Sequence, residues 1–463
     1  MSGHPAQSRP PRPVPPTLEG KIVTPAHERF DDARRAWNLA IDQRPAAVVF
    51  AESAQDVAAA VVYAIEYGLQ VAPQGTGHNA GPLGSLEDTI LLKTERMRGV
   101  QIDPVARVAR VEAGVLWIEV VEAAARHGLA ALAGSSPDVG VIGYTLGGGM
   151  SLIGRKHGLC ANAVRAIELV TADGRQLRCD RDNEPDLFWA LRGGGGSFGV
   201  VTAIELELFA IEQAYAGVLW YPIERGSEVL HAWRELTHSD DLPDELTTVG
   251  RFLRLPPIPE IPEPVRGKSF VIVEAYHIGD PAQADELLAP LRALAPVNDT
   301  IATVPLPALS HLHMDPEHPV PGFGDGMMIA HLPKQAVDAF VAIAGDAAES
   351  PLLTVELRQL GGALGRPHPA HGALSCIDAQ YSLFAAGMVP TPRFEAPVRA
   401  HVQAVHAALE PWAASHMYLN FADTHREPAR FWSEHAYNRL RRIKAAVDPD
   451  DRIRSNQPIP AAR

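Results

Sequence analysis

Short apolar runs alternate with helical patterns along residues 40–211. The run 46–50 predicts a strand, and Ser53-Ala-Gln-Asp56 has the form of a capping box that opens a helix ending at Gly68. The run 69–73 predicts the next strand. Further strands are predicted at 107–112, 166–171, 176–179 and 200–209, and further helices at 116–127 and 186–192. This pattern indicates an α+β domain rather than a regular doubly wound sheet.

Residues 212–415 follow a different pattern, interrupted by proline-rich loops at 255–264 and 316–321. Strands are predicted at 269–276, 353–360 and about 376–384, and helices at 281–294, 334–349 and 393–410. We expect a second α+β domain with an antiparallel sheet.

The two ends of the chain differ from both domains. Residues 1–20 are rich in proline and polar residues, which predicts a disordered tail. In the C-terminal segment 416–463, the run 418–421 predicts a strand and 431–447 a helix that Asp448-Pro449-Asp450 stops.

Composition and charge narrow the possible partners. The 463 residues carry a net charge of −14, which argues against nucleic acid or an anionic membrane, because both attract basic proteins. No apolar run is long enough to span a membrane, and the first residues lack the apolar core of a secretory signal. The 3 cysteines are widely spaced and offer neither a disulfide framework nor a metal pair. We therefore expect a cytoplasmic protein with neither a nucleic-acid nor a membrane partner.

Three glycine-rich segments carry the candidate chemistry. In Pro73-Gln-Gly-Thr-Gly-His-Asn79, two glycines after a strand allow backbone N–H groups to form a nest for a pyrophosphate. The segment 134–149 is glycine-rich but also apolar, which indicates burial of its backbone against a flat, extended ligand rather than a surface loop. A third glycine run, 193–196, leads into a buried strand. Neither a Rossmann fingerprint nor a phosphate-binding P-loop is present.

The order and spacing of these segments, together with 418–421, 437–444 and 447–450 in the tail, resemble the berberine-bridge-enzyme-like oxidoreductases. The resemblance covers about 44–210 and 416–460. It implies a two-part FAD-binding domain of the PCMH, or vanillyl-alcohol-oxidase, type at 40–211, a substrate-binding domain at 212–415, and a segment 416–463 that completes the FAD domain.

The resemblance also implies which residues hold FAD. His78 matches the histidine that bonds covalently to a methyl carbon of the flavin ring. Ser136 stands where some relatives carry a cysteine for a second link, which a hydroxyl cannot form, so we predict one attachment, through His78 alone. The full set of implied FAD contacts is Gln74, Gly75, Thr76, Gly77, His78, Asn79, Ser135, Ser136, Gly140, Gly143, Gly147, Val201, Asn420 and Asn456.

The catalytic residue is less well defined. Some relatives carry a catalytic tyrosine where this chain has Ala80 or Met150. Tyr418 matches a tail tyrosine that lies over the flavin, and either of two roles is open to it: a base, or a hydrogen-bond donor that orients the substrate. One face of the antiparallel sheet predicted in 212–415 should also line the cavity. The pairs of side chains that could lie on that face are Glu356 with Arg358 or Asp378 with Gln380.

The resemblance implies an FAD-dependent oxidoreductase that passes hydride from a C–OH or C–NH carbon of a sugar or secondary metabolite to flavin N5. Val139 stands where relatives that react readily with O2 often carry valine, which favours an oxidase that forms H2O2. A dehydrogenase with another acceptor and a non-catalytic flavin-binding protein remain alternatives. We expect no metal, because the spacing of His311, His313, Asp315 and His318 matches no closed zinc pattern.

Overall fold

The structure is a computed structural model that describes residues 14–462, so the predicted tail lies outside it as far as residue 13. The prediction of disorder is wrong for residues 14–20. Pro16–Leu18 forms a short 3-10 helix, and the Leu18 side chain is fully buried against the helix Ala54–Tyr67. One apolar side chain anchors this proline-rich stretch, because burying a leucine contributes about 2 kcal/mol.

The first sheet holds the first glycine loop. Its strands lie in the order Ile22–Val23, Ala47–Phe50, Thr89–Lys93 and Gln70–Gln74, the last three being parallel. The predicted helix is present as Ala54–Tyr67, with the Ser53 hydroxyl accepting a hydrogen bond from Asp56 N at 3.2 Å and Gly68 in the left-handed conformation. The short helix Phe30–Ala33 lies in the chain between the strands Ile22–Val23 and Ala47–Phe50.

The second sheet is antiparallel, with strand order Val100–Asp103, Val108–Glu112, Val200–Glu207, Val164–Val170 and Gln176–Asp180. The predicted strands 166–171 and 176–179 pair as a hairpin whose turn contains Gly174 at φ 85°. The accompanying helices are Trp117–Ala125, Val141–Leu146, Gly154–His157 and Pro185–Leu191. One apolar core joins the first and second sheets, so the two form a single two-part unit.

The third sheet is the predicted antiparallel one, and it packs around a separate apolar core. Its strand order is Asn298–Asp299, Gln213–Pro222, Ser269–His277, Leu246–Arg254, Thr354–Gln359, Tyr381–Met388 and Gly322–Ile329, and Ala302–Pro305 also pairs with Gln213–Pro222. The helices of this part are Gly226–Thr237, Pro281–Arg292, Leu309–Leu312, Lys334–Ala344 and Glu395–Leu409. The α+β fold class is therefore confirmed.

The tail returns to the first sheet. The predicted strand 418–421 is wrong, because Leu419–Phe421 forms a 3-10 turn. The helix Glu434–Val447 follows, and Ile453 then lies alongside Val71, whose N–H donates to Arg452 O at 2.8 Å. None of the helices in residues 14–462 is long and apolar enough to cross a membrane.

Candidate functional site

A cavity of about 460 Å³ lies where the three sheets and the tail meet. Every residue predicted to contact the cofactor or to act in catalysis lines it: Gln74, Gly75, Thr76, Gly77, His78, Asn79, Ser135, Ser136, Gly140, Gly143, Gly147, Val201, Tyr418, Asn420 and Asn456. Segments that are hundreds of residues apart in sequence thus meet at one site.

The glycines leave room in this cavity for a flat ligand. A Cβ atom added at Gly143 would meet no protein atom within 4 Å, and one at Gly195 would have its nearest neighbour at 3.8 Å. Gly77 adopts φ 90°, as the turn of the first glycine loop requires. The buried side-chain oxygen of Gln74, on the wall of the same cavity, has no hydrogen-bond partner among the described residues. An open backbone cradle and an unused buried acceptor fit a cofactor such as FAD.

His78 is held from three sides. Its ring stacks on the Trp37 indole at 4.0 Å between centroids. Its Nδ1 lies 2.8 Å from the Thr76 hydroxyl oxygen, and its Nε2 lies 3.3 Å from a carboxylate oxygen of Asp138. The Ser136 hydroxyl donates to the same carboxylate oxygen at 3.0 Å. The imidazole therefore has a fixed orientation at the cavity wall.

Asparagines link the tail to the first glycine loop. The Asn456 amide donates to the Asn79 side-chain oxygen at 3.0 Å, and the Asn79 amide donates to Ala422 O at 3.2 Å. Beside them, burial and the charge of Asp325 raise the pKa of Asp423 to about 8. The tail thus forms one wall of the cavity through amide hydrogen bonds.

Tyr418 is buried at the middle of the cavity wall. Its hydroxyl oxygen accepts hydrogen bonds from Met150 N at 2.9 Å and from the Asn420 amide at 3.1 Å. Although these bonds favour the phenolate, burial raises the pKa of Tyr418 well above its ordinary value. The phenol therefore keeps its proton near neutral pH and can donate a hydrogen bond.

Charged side chains from the third sheet and from the loop after Leu309–Leu312 form another part of the cavity wall. His313 lies between two carboxylates, 2.7 Å from Glu274 and 2.8 Å from Glu356. Arg358 pairs with Glu356 at 3.1 Å, and Arg251 pairs with Glu274 at 2.9 Å. Burial acts to lower the pKa of His313, but the carboxylates around it raise that pKa to about 9. Burial acts to raise the pKa of Glu356, but Arg358 and His313 hold it well below its usual value. We call these five residues, with Asp315, the ionic wall. Four of the six line the cavity: His313, Asp315, Glu356 and Arg358.

The ionic wall decides between the two faces left open by the sequence. Glu356 and Arg358 line the cavity, whereas Asp378 and Gln380 are exposed and precede the strand Tyr381–Met388. Ser135 joins the ionic wall by donating to Asp315 at 3.0 Å.

The histidine-rich loop is divided in the structure. His313 belongs to the ionic wall, while exposed His311 pairs with Glu317 at 2.6 Å. Within residues 14–462, no group of three His, Cys, Asp or Glu side chains is arranged to hold a metal ion.

Sequence reasoning missed Trp37 and Asp138. Asp138 stands in the second glycine-rich segment, where a lone acidic residue was the available signal. The sequence around Trp37 gives no comparable signal, because its indole contacts Asp138 across 101 residues of chain.

Comparison with protein families gives two matches. A model of an FAD binding domain matches residues 45–180, and a model described as berberine and berberine like matches residues 417–460. Both fall on the parts of the chain whose sequence carries the resemblance to the berberine-bridge-enzyme-like family.

Known relatives are similar in sequence and in fold. The (R)-6-hydroxynicotine oxidase of Paenarthrobacter nicotinovorans is 36% identical over 45% of this chain and 46% of its own length. The xylooligosaccharide oxidase of Thermothelomyces thermophilus is 30% identical over 45% of this chain and 44% of its own length, so each match spans less than half of the relative. The crystal structure of 6-hydroxy-D-nicotine oxidase from Arthrobacter nicotinovorans superposes with a TM-score of 0.82 at 26% identity, covering 97% of this chain and 99% of that one.

Proposed function

We propose that this chain holds FAD by one covalent bond to His78 and oxidises a small polar substrate. The proposal is supported by its matches to an FAD-binding domain and to a berberine-like C-terminal segment. The observation that carries the proposal is the meeting of His78, the glycine segments and the ionic wall at one cavity. In this proposal residues 40–211 and 416–463 form the cofactor domain and 212–415 the substrate domain.

Bound FAD would supply the hydride acceptor, flavin N5, while the protein positions the substrate. In our proposal, Tyr418 is the donor that orients the reacting oxygen or nitrogen of the substrate. Its phenol oxygen already accepts two hydrogen bonds, and its raised pKa keeps the proton available for donation. Of the two roles that the sequence left open, the geometry supports the donor.

Glu356 is the proposed acceptor of the substrate proton. Its lowered pKa keeps it ionised, and it lines the cavity together with Arg358. The Phe421 ring lies 5.4 Å from the Tyr418 ring and 5.7 Å from the guanidinium of Arg358, the ion-pair partner of Glu356. A hydroxyl or amino group of a substrate bound between Tyr418 and Glu356 would donate its proton to Glu356 as hydride leaves the adjacent carbon.

The charge balance of the ionic wall indicates the substrate class. Two cationic groups and two carboxylates of the ionic wall line the cavity, so the wall offers hydrogen bonds without a large net charge: His313 and Arg358 with Asp315 and Glu356. Such a wall suits a neutral polar substrate, such as a sugar or a hydroxylated secondary metabolite, better than a strongly charged one.

The proposed electron acceptor is O2, which would leave as H2O2. Val139 lines the cavity next to Gly140, at the position where the resemblance associates valine with oxygen reactivity. An anaerobic screen of sugars, aromatic alcohols and cyclic amines should find a compound that bleaches the flavin, and admitting air should restore the colour with formation of H2O2. Bleaching without peroxide would favour a dehydrogenase, and no bleaching by any compound would favour a non-catalytic flavin-binding protein.

Covalent attachment is tested by acid precipitation of the purified protein. The pellet should retain flavin fluorescence, and the pellet of His78→Ala should not. His311→Ala is the matched control, because that histidine is exposed and lies off the cavity wall, and its pellet should resemble that of the unaltered protein. Flavin found entirely in the supernatant of the unaltered protein would refute the covalent bond.

The role of Glu356 is tested by Glu356→Gln, which keeps the shape and removes the base. We expect the rate of flavin reduction to fall by about 10²- to 10⁴-fold, with FAD content unchanged. Asp378→Asn is the control, because Asp378 is an exposed carboxylate outside the cavity. A Glu356→Gln protein that reduces its flavin at the normal rate would exclude Glu356 as the proton acceptor.

A further inference from the structure

The contacts of His78 distinguish its two ring nitrogens. Nε2 faces the Asp138 carboxylate at 3.3 Å, and Nδ1 faces the Thr76 hydroxyl at 2.8 Å. A carboxylate can only accept, so it fixes the ring proton on Nε2, whereas a hydroxyl can donate to a bare nitrogen. The geometry therefore favours the tautomer in which Nδ1 carries the lone pair.

Three neighbouring side chains stabilise the anionic form of the Asp138 carboxylate. It accepts the Trp37 indole N–H at 2.5 Å and the Ser136 hydroxyl at 3.0 Å, besides its contact with His78. Burial acts to raise the pKa of Asp138, but the hydrogen bonds from His78, Trp37 and Ser136 hold it below its usual value. The same indole stacks on the imidazole, so Trp37 contacts both the Asp138 carboxylate and the His78 ring.

We propose that Asp138 is a positioning residue for cofactor attachment: it holds the proton on Nε2 of His78 and so directs Nδ1 to form the bond to FAD. This inference rests on the proposed function. The new bond joins Nδ1 to the 8α carbon of the flavin, and that carbon loses one proton. Nε2 releases the second proton, and O2 takes both electrons and both protons as H2O2.

Asp138 would assist at the point where the imidazole becomes positive. Alkylation of Nδ1 while Nε2 still holds its proton creates an imidazolium, and an adjacent carboxylate stabilises that charge. Ser136 contributes indirectly, because its hydroxyl donates to Asp138 rather than to the ring.

The test follows covalent attachment over time. Protein produced under riboflavin limitation is mixed with FAD, and acid-stable fluorescence in the pellet is recorded at intervals. We expect Asp138→Asn to slow attachment about 10- to 100-fold, which is the loss of one charge-assisted hydrogen bond. Asp138→Glu should recover part of the rate, and Asp378→Asn, at an exposed carboxylate outside the cavity, should attach FAD at the rate of the unaltered protein.

Two further measurements separate positioning from folding. Quenching of free FAD fluorescence reports non-covalent binding, which Asp138→Asn should retain. NMR of the flavin peptide released by proteolysis should show the link on Nδ1. Attachment through Nε2, or an unchanged rate in Asp138→Asn, would overturn this inference while leaving the covalent bond itself intact. Absence of acid-stable flavin in the unaltered protein would instead overturn the proposed attachment.

Discussion

At Gly147 in the cavity wall, the neighbouring Asn420 side chain leaves no room for a Cβ atom. A Cβ added there would lie 1.8 Å from the Asn420 side-chain oxygen and 2.8 Å from its Cγ. The backbone itself is unstrained for any residue, since Gly147 has φ −84°. Gly147→Ala therefore tests this contact alone, and Asn420 must turn away to admit the methyl group.

The cost of that movement can be worked from the contacts. The Asn420 amide donates to Tyr144 O at 2.9 Å and to the Tyr418 hydroxyl at 3.1 Å. Losing two neutral hydrogen bonds at about 1 kcal/mol each, together with the strain of overpacking, gives a loss of about 3 kcal/mol in the free energy of unfolding. The flavin-reduction rate should also fall, because Tyr418 loses one of its two positioning bonds.

A double-mutant cycle isolates the contact. Chemical denaturation is measured for the unaltered protein, Gly147→Ala, Asn420→Ala and the double variant. Asn420→Ala removes the atoms that clash, so Gly147→Ala should cost less than about 1 kcal/mol in that background. An equal penalty in both backgrounds would refute the explanation by steric contact with Asn420.

Three further predictions concern stability and cofactor binding. The raised pKa of His313, about 9 against an ordinary 6.5, contributes stability in full below pH 6.5 that is lost as the pH rises through 9. The difference in unfolding free energy between the unaltered protein and His313→Gln should shrink by on the order of 3 kcal/mol across that window, and a constant difference would contradict it. Lys444 and Asp448 are both fully buried and 2.6 Å apart, so Lys444→Met should cost about 3 to 5 kcal/mol in denaturation experiments, whereas Lys156→Met, at an exposed ion pair, should leave stability nearly unchanged. Gly143→Ala should leave the FAD-free protein as stable or more so but weaken FAD binding in fluorescence titrations, because its Cβ meets no protein atom within 4 Å and points into the cavity.

The sequence predicted elements that depend on local signals. Ser53 and Gly68 delimit a helix at the expected residues because capping hydrogen bonds and the left-handed glycine act within one turn. The glycine segments likewise indicated the cavity, since only backbone without side chains can approach a flat ligand closely. Together with the tail motifs, they identified a set of contact residues that all line one cavity in the structure.

What the sequence did not predict depends on contacts between distant residues. The run 418–421 has the apolar character of a strand, but four residues are too few to distinguish a strand from a turn. In the structure Leu419–Phe421 forms a 3-10 turn at the cavity wall. The strands Gln213–Pro222 and Leu246–Arg254 are buried on both faces and so lack alternation. Glu356 and Arg358 were candidates for the cavity wall, but the ion pairs of the ionic wall were not predicted for a related reason, because His313 meets Glu274 across 39 residues.

The returning tail has a consequence for biosynthesis. Asn456 closes on Asn79, and Ile453 lies beside Val71, so the cavity has all its walls only when residues near 456 have left the ribosome. The two-part unit can begin to fold during translation, but its cofactor cavity is completed only after the returning tail has emerged. Flavin loading should therefore follow the synthesis of residues near 456 rather than that of the first glycine loop, and cells short of riboflavin should accumulate a chain that has folded without its cofactor.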